Sequence, residues 1–273
     1  MNSVIKSEYN IYIKGIRKKT ICQFSDVHLS VWDELSTEEE KQDAITQSEN
    51  WERGRKGFAL DHGESYEPYQ LTDSHTHYNN LIELAKTADI AVTTGDIMDY
   101  NSGANIRAME NGLRKLTIPF ISAIGNHEDP ETIPDGMLIS AMKKPIHTLN
   151  LRDIQIVSID NSQRRVTKEQ LSELKRILET GKHTVIAMHI PIMTEGNREK
   201  LMNSGEYFQF NYEDCPKENL EFISMITDTK YNVVAVLTGH LHYGNVSEIA
   251  NGIYQYGSSQ GILGNANLIT IGE

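Results

Sequence analysis

The run Ile90-Ala91-Val92-Thr93-Thr94 is apolar or β-branched throughout and stops at Gly95-Asp96-Ile97-Met98-Asp99. Such a run predicts a short buried strand, with Asp96 just past its carboxyl end. Open α/β sheets gather their chemistry at that edge. A carboxylate there can hold a metal, act as a base, or cap the next helix. What narrows the choice is how many other strands in the chain end in the same way.

Residues 9–13 and 20–24 read as strands, and the second ends at Asp26-Val27-His28. Asp-x-His places two ligand-capable side chains on one side wherever the backbone stays extended. A polar helix from about 102 to 115 leads to a strand over 118–123 that ends in Gly125-Asn126-His127-Glu128. Gly-Asn can simply shape a turn; alternatively Asn126 offers an amide oxygen to a metal while His127 points at a substrate. Residues 154–159 form a further strand ending at Asp160-Asn161. The helix after it is well signalled: Thr167 as N-cap with Gln170 three residues on, Val166 stapling onto Leu171, and Gly181 past the end. The strand over 184–188 ends in His189, and 233–237 ends in Gly239-His240-Leu241-His242. The tail alternates over 246–249, 253–256 and 268–271, as a closing β-meander does.

Two segments break this rhythm. Residues 30–75 are charged and aromatic, with a capped helix start at Ser36-Thr37-Glu38-Glu39-Glu40 and a helical stretch through Trp51 that Gly54, Gly57, Gly63 and Pro68 then interrupt. We read it as a cap insertion over the catalytic edge, with Trp51, Tyr66 and Tyr69 as candidate substrate contacts. His75 and His77 start the following helix and read as solvated. Residues 194–214 are a second irregular segment, carrying Tyr207 as another candidate substrate contact, before a helix near Pro216.

At 273 residues with 38% hydrophobic content, the chain can bury a core as one large domain, and no linker divides it. No apolar run approaches the roughly 18 residues of a membrane span, and the start lacks a signal-peptide core, so the expectation is a cytoplasmic protein without a membrane partner. Cys22 and Cys215 form no Cys-x-x-Cys pair and read as reduced structural thiols. A net charge of −12 argues against nucleic acid as a partner, because phosphate neutralisation needs gathered Lys and Arg.

Five strand ends thus present Asp26 and His28, Asp96 and Asp99, Asn126 and His127, His189, and His240 and His242, and five of the ten histidines fall among them. Each has a bland explanation; needing all of those explanations together makes the bland reading improbable. As an ordered set, these motifs closely resemble the calcineurin-like metallophosphoesterase superfamily. The resemblance implies an α/β fold, a two-sheet β-sandwich flanked by helices (αββα), with a binuclear metal centre at one edge. It further implies Asp26, His28 and His242 around one metal, Asn126, His189 and His240 around the other, Asp96 bridging both, and Asp99 orienting a catalytic His127. Imidazole, carboxylate and amide donors without thiolate suit Mn, Fe, Zn, Ni or Co. Two such ions clamp a phosphate ester and lower the pKa of a bridging water for in-line attack, while His127 stabilises the departing oxygen.

Departures from the superfamily's subgroups sharpen the expectation. Protein phosphatases of this group carry Arg directly after the second Asp and just before Gly-Asn-His-Glu, where this chain has Tyr100 and Ile124. Purple acid phosphatases place a Tyr ligand where Asp99 stands. The chain looks like the bacterial phosphodiesterase-like members, including class III cyclic-nucleotide phosphodiesterases, although those often have His-His where this chain has Met188-His189. The reading is a phosphodiesterase acting on a small or nucleotide-like phosphate ester, with Tyr100 a further candidate substrate contact. A phosphomonoesterase is the alternative, since one dimetal core serves both reactions. A binding scaffold of the same fold is the non-enzymatic alternative; such relatives lose metal ligands, whereas every ligand position here is filled.

Overall fold

The computed structural model describes residues 4–61, 72–203 and 209–273. Tyr66, Tyr69 and Tyr207 lie outside the described residues. Among the described residues, eleven β-strands are arranged as two sheets, one of five strands in the order β1-β11-β2-β3-β4 and one of six in the order β5-β6-β7-β8-β10-β9. The first sheet comprises β1 (Ile5–Ile11), β2 (Lys19–Phe24), β3 (Ile90–Thr94), β4 (Phe120–Ala123) and β11 (Asn265–Ile271). The second comprises β5 (Ile146–Leu151), β6 (Ile154–Ile159), β7 (His183–Ala187), β8 (Val233–Thr238), β9 (Asn245–Ala250) and β10 (Ile253–Gly257).

The inner ladders β2-β3-β4 and β6-β7-β8-β10 are parallel, with antiparallel β5 and β9 at the edges of the second sheet. Parallel neighbours need crossovers, and the helices that provide them cover the outer faces. These are α2 (Ser74–Ala85) and α3 (Gly103–Leu113) on the first sheet, and α4 (Lys168–Leu178) and α6 (Lys217–Ile226) on the second. Among the described residues, three apolar clusters result. Ile21, Val92, Ile121 and Ile269 meet Ile156, Val185, Ala235 and Leu237 between the sheets. Tyr78, Leu81 and Met109 pack beneath α2 and α3, and Leu171, Leu174 and Phe222 beneath α4 and α6. The order of layers is therefore helix, sheet, sheet, helix, as expected.

The Thr167–Gln170 capping box is present, and Gly181 takes the left-handed φ of +74° just past the end of α4. Several local expectations are corrected. The tail is not a meander: β9 and β10 pair in the second sheet, but β11 crosses to the first, antiparallel to β2 and parallel to β1. Strand alternation shows where a segment buries one face, not which sheet accepts it. The first strand begins earlier than 9–13, at Ile5, and β5 carried no signal strong enough to read because its residues are only half-buried.

The expected break after Trp51 is absent: α1 (Glu38–Asp61) continues through Gly54 and Gly57. Glycine costs a helix about 1 kcal/mol, which raises the odds of a break without forcing one. The segment 194–214 is likewise not wholly irregular, since α5 (Glu195–Asn203) occupies its first half. His77 is buried rather than solvated, seated against Gly264, while His75 is exposed. Among the described residues no helix is long and apolar enough to cross a membrane.

Candidate metal centre

The site forms where β2, β3 and β4 of one sheet and β7 and β8 of the other end along a common edge. The first sheet brings Asp26, His28, Asp96, Asp99, Asn126 and His127; the second brings His189, His240 and His242. The backbone turns that present them are unusual. Asp26, His28, Asp96, His240 and His242 all have positive φ, between 49° and 73°. The left-handed region costs a non-glycine residue of order 1 kcal/mol and clusters where function holds the chain there. This corrects the expectation for Asp26 and His28: they do not share a face by extended alternation. Their turn is tied down by backbone bonds, with Asp26 N–H donating to Gly95 O and His28 N–H to Asp96 O, at 3.0 Å each.

Close approach between the β3 and β4 turns requires two glycines. A Cβ on Gly95 would stand 2.5 Å from His189 Nδ1 and 2.7 Å from Gly125 Cα, and one on Gly125 would overlap the Asp96 carboxylate. The same two turns are laced by Glu128, whose buried carboxylate accepts backbone N–H groups from Gly125 (2.6 Å), Asp96 (3.0 Å), Ile97 (2.6 Å) and Met98 (3.1 Å). Burial, and then the Asp96 charge, push the Glu128 pKa up to about 7. Asn161 does a similar job for the β7 turn: its Oδ1 accepts from His189 N–H and Ile190 N–H, at 2.9 and 3.1 Å. Glu128 and Asn161 both stood in quoted strand-end motifs, but side-chain acceptors for backbone N–H groups have no spacing that marks them in a sequence.

Two groups of potential ligands converge. Asp26, His28 and His242 offer atoms within 4.8 Å of one another, as do Asp96, His189 and His240. His28 Nε2 and His242 Nε2 face each other at 3.1 Å, with Asp26 Oδ1 3.5 Å from the latter. His189 is the more telling ring. Its Nδ1 lies 2.7 Å from Thr94 O, a carbonyl that can only accept, so Nδ1 carries hydrogen. Its Nε2 then faces Asp96 Oδ2 (3.1 Å), Asn126 Oδ1 (3.0 Å) and His240 Nδ1 (3.1 Å). One ring proton cannot serve this array of acceptors, whereas one cation can. Burial opposes the charged form of this ring, but Asp96 outweighs burial and raises His189 to about 9. His240 moves the other way, to about 3, through burial and the His189 charge. The residues fit a divalent ion at each group, with imidazole orientation fixed by a backbone carbonyl as metal sites require.

A third group joins His28, Asp99 and His127. Asp99 Oδ1 is 3.4 Å from His28 Nδ1 and 3.1 Å from His127 Nδ1. Against the cost of burial, the bond to Asp99 and the Asp96 charge raise His127 to about 9. Asp99 itself is held well below the ordinary carboxylate range: burial opposes this, but bonds from His127 and His28 prevail. Of the candidate substrate contacts, Trp51 comes from α1 and stacks on His28, ring centroids 3.9 Å apart. Tyr100 is half-buried beside Asp43, Asp99 and Glu40.

The calcineurin-like phosphoesterase model matches residues 19–244. The chain belongs to the calcineurin-like phosphoesterase family. It is therefore a phosphoester hydrolase, and the family works through a binuclear metal centre. Solved structures agree in fold. A dimetal phosphatase from Danio rerio superimposes with a TM-score of 0.58 at 11% identity, covering 89% of this chain and 88% of that one. A purple acid phosphatase from yellow lupin gives 0.52 at 12% identity, covering 88% of this chain and 44% of the lupin chain. No curated protein matches the calcineurin-like chain in sequence.

Proposed function

We propose that this calcineurin-like phosphoesterase is a phosphodiesterase acting on a small or nucleotide-like ester. In this reading Asp26, His28 and His242 hold one ion, Asn126, His189 and His240 the other, and Asp96 is shared. When bound, the two ions supply Lewis-acid polarisation of the phosphoryl group and an acidified water for in-line attack. His127 donates a proton from Nε2 to the departing alkoxide while Asp99 holds Nδ1 and stabilises the charged ring. Asp99 thus acts on the substrate only through His127. Glu128 holds the β3 and β4 turns together and Asn161 braces the β7 turn, so that little reorganisation accompanies the reaction.

The choice of diester rests on the surroundings of Tyr100. Where a phosphate-gripping arginine would stand in a protein phosphatase, this chain has a phenol whose charged neighbours are Asp43, Asp99 and Glu40. Those carboxylates disfavour the second negative charge of a monoester more than the single charge of a diester. The test is turnover of an aryl phosphodiester against the matching aryl monoester, with Mn(II) added. We expect the diester to have the higher kcat/KM; a higher value for the monoester would make the chain a phosphomonoesterase.

A further inference from the structure

The helix α1 is fastened to the molecule in an unusual way. Of its described side chains, only Ala44 and Arg55 are buried, at 1% and 4% exposure, and its apolar Ile45 and Leu60 are exposed. Apolar burial therefore contributes little to holding it. Ala44, Ser48, Trp51 and Arg55 follow at spacings of four, three and four, one inward stripe of a helix. Near one end of this stripe is the Trp51 ring on His28; one turn on is a guanidinium with its hydrogen bonds directed at carbonyls. Arg55 Nε donates to Trp51 O (3.2 Å), and Nη1 donates to Ile262 O (2.9 Å) and Thr72 O (3.4 Å). Burial lowers the Arg55 pKa, while Glu52 and Asp73 attract its charge. A buried cation left without such acceptors is costly, so these bonds fix where the helix sits.

The Ile262 contact leads back to the metal centre. Ile262 N–H donates to Asp26 O at 2.9 Å, so the residue whose carbonyl receives Arg55 holds the first ligand residue through its N–H. Trp51 covers the same group from above: besides stacking on His28, its ring centroid lies 5.5 Å from that of His242 and 6.2 Å from that of His127. The indole also helps keep the Asp99 carboxyl low. We propose that Arg55 and Trp51 are positioning residues for the metal held by Asp26, His28 and His242. Arg55 sets the position of α1, and Trp51 fixes the plane of the His28 ring. Both act through the ligands they orient. The inference rests on the metal assignment above and extends the centre into the cap helix.

The chain has two tryptophans, so Trp32→Phe leaves Trp51 as a single reporter. In that background we expect Mn(II) to quench Trp51 emission as it binds, giving an affinity without any substrate. Adding Arg55→Met should weaken Mn(II) binding at one of two sites about tenfold and reduce the quench, as loss of a partner that orients a metal ligand does. Unchanged affinity and quench, with only a lower melting temperature, would make Arg55 a structural anchor and overturn the proposal. A second pair guards against an Arg55 variant that does not fold. By calorimetric titration, Trp51→Phe, which keeps a stacked ring, should bind Mn(II) within about threefold of the parent, and Trp51→Ala about tenfold more weakly. Equal binding by parent and Trp51→Ala would also overturn it. Failure of the parent to bind Mn(II) at all would instead overturn the metal assignment, and this inference with it.

Discussion

His127 is held by a single residue twice over: its Nδ1 lies 3.1 Å from the Asp99 carboxylate and 2.9 Å from the Asp99 carbonyl oxygen. Both are acceptors, so the ring is locked with hydrogen on Nδ1 and its other nitrogen turned outward. Replacing His127 by Ala should lower kcat by about 100-fold or more, in the range general-acid groups contribute. Bound metal, counted by elemental analysis, should stay near the parent value. Loss of metal in this variant would mean that His127 is a ligand rather than an acid.

Asp96 is the carboxylate nearest the array around His189. Asp96→Asn keeps the shape and removes the charge, so turnover should fall to background. Chelation of the parent should do the same, with activity restored on adding Mn(II) and the melting temperature rising with metal concentration. Activity that survives exhaustive chelation would contradict a metal-dependent reaction.

Glu128 satisfies four backbone N–H groups of two turns from one buried position. Glu128→Ala strands them, and each buried unsatisfied donor costs about 1–3 kcal/mol. We expect a loss of at least about 3 kcal/mol in urea unfolding, together with weaker metal retention. A loss below about 1 kcal/mol would show that the turns hold without it.

His147, on the edge strand β5, is pushed down to about 4 by burial and by the Lys144 charge. Unfolded histidine takes up its proton near pH 6.5. Between pH 6.5 and 4 the unfolded chain therefore binds a proton that the folded chain refuses, and stability falls as pH falls. Above that window both states are neutral and the effect is nil. His147→Gln should recover about 1–3 kcal/mol at pH 4.5 relative to the parent, and nothing at pH 8. Equal acid sensitivity in the variant would remove His147 as a cause.

Glycines inside two helices should respond with opposite sign. Gly54 and Gly57 in α1 have no atom within 4 Å of an added Cβ, and neither is among the positive-φ glycines. Alanine at either should stabilise by about 0.5–1 kcal/mol. In α3, a Cβ on Gly112 would stand 2.7 Å from Tyr78 Cζ, a ring fully buried beneath the helix. Gly112→Ala should destabilise by about 1–3 kcal/mol through overpacking. Thermal melts of the three variants decide both signs.

The parts of this molecule that could be read from its sequence are those specified by local pattern. The run at 90–94 made β3 legible, because five buried residues leave no polar alternation to misplace. Thr167 and Gln170 marked the start of α4 because a capping box is a fixed interval. The strand-end motifs were legible only in combination, since no one of them exceeds turn chemistry. Other parts were settled by partners far along the chain. The fate of β11 depends on β1 and β2, more than two hundred residues away. In α1, Arg55 meets Ile262, a contact that the weakly amphipathic sequence of the helix does not announce. The left-handed turns at Asp26, His28, Asp96, His240 and His242 had no local signature either.

The placement of the centre on the seam between the sheets carries a consequence for how the chain unfolds. Asp26 and His240 are 214 residues apart, and the two proposed ligand groups draw on both sheets. Neither sheet can peel away while an ion is held, so metal release and separation of the sheets become one event. The rate of unfolding, and with it survival against proteolysis, should then be set by how fast metal escapes rather than by the packing of either core. Ions held by these ligands would act as a clasp on the sandwich, one that tightens as free metal rises.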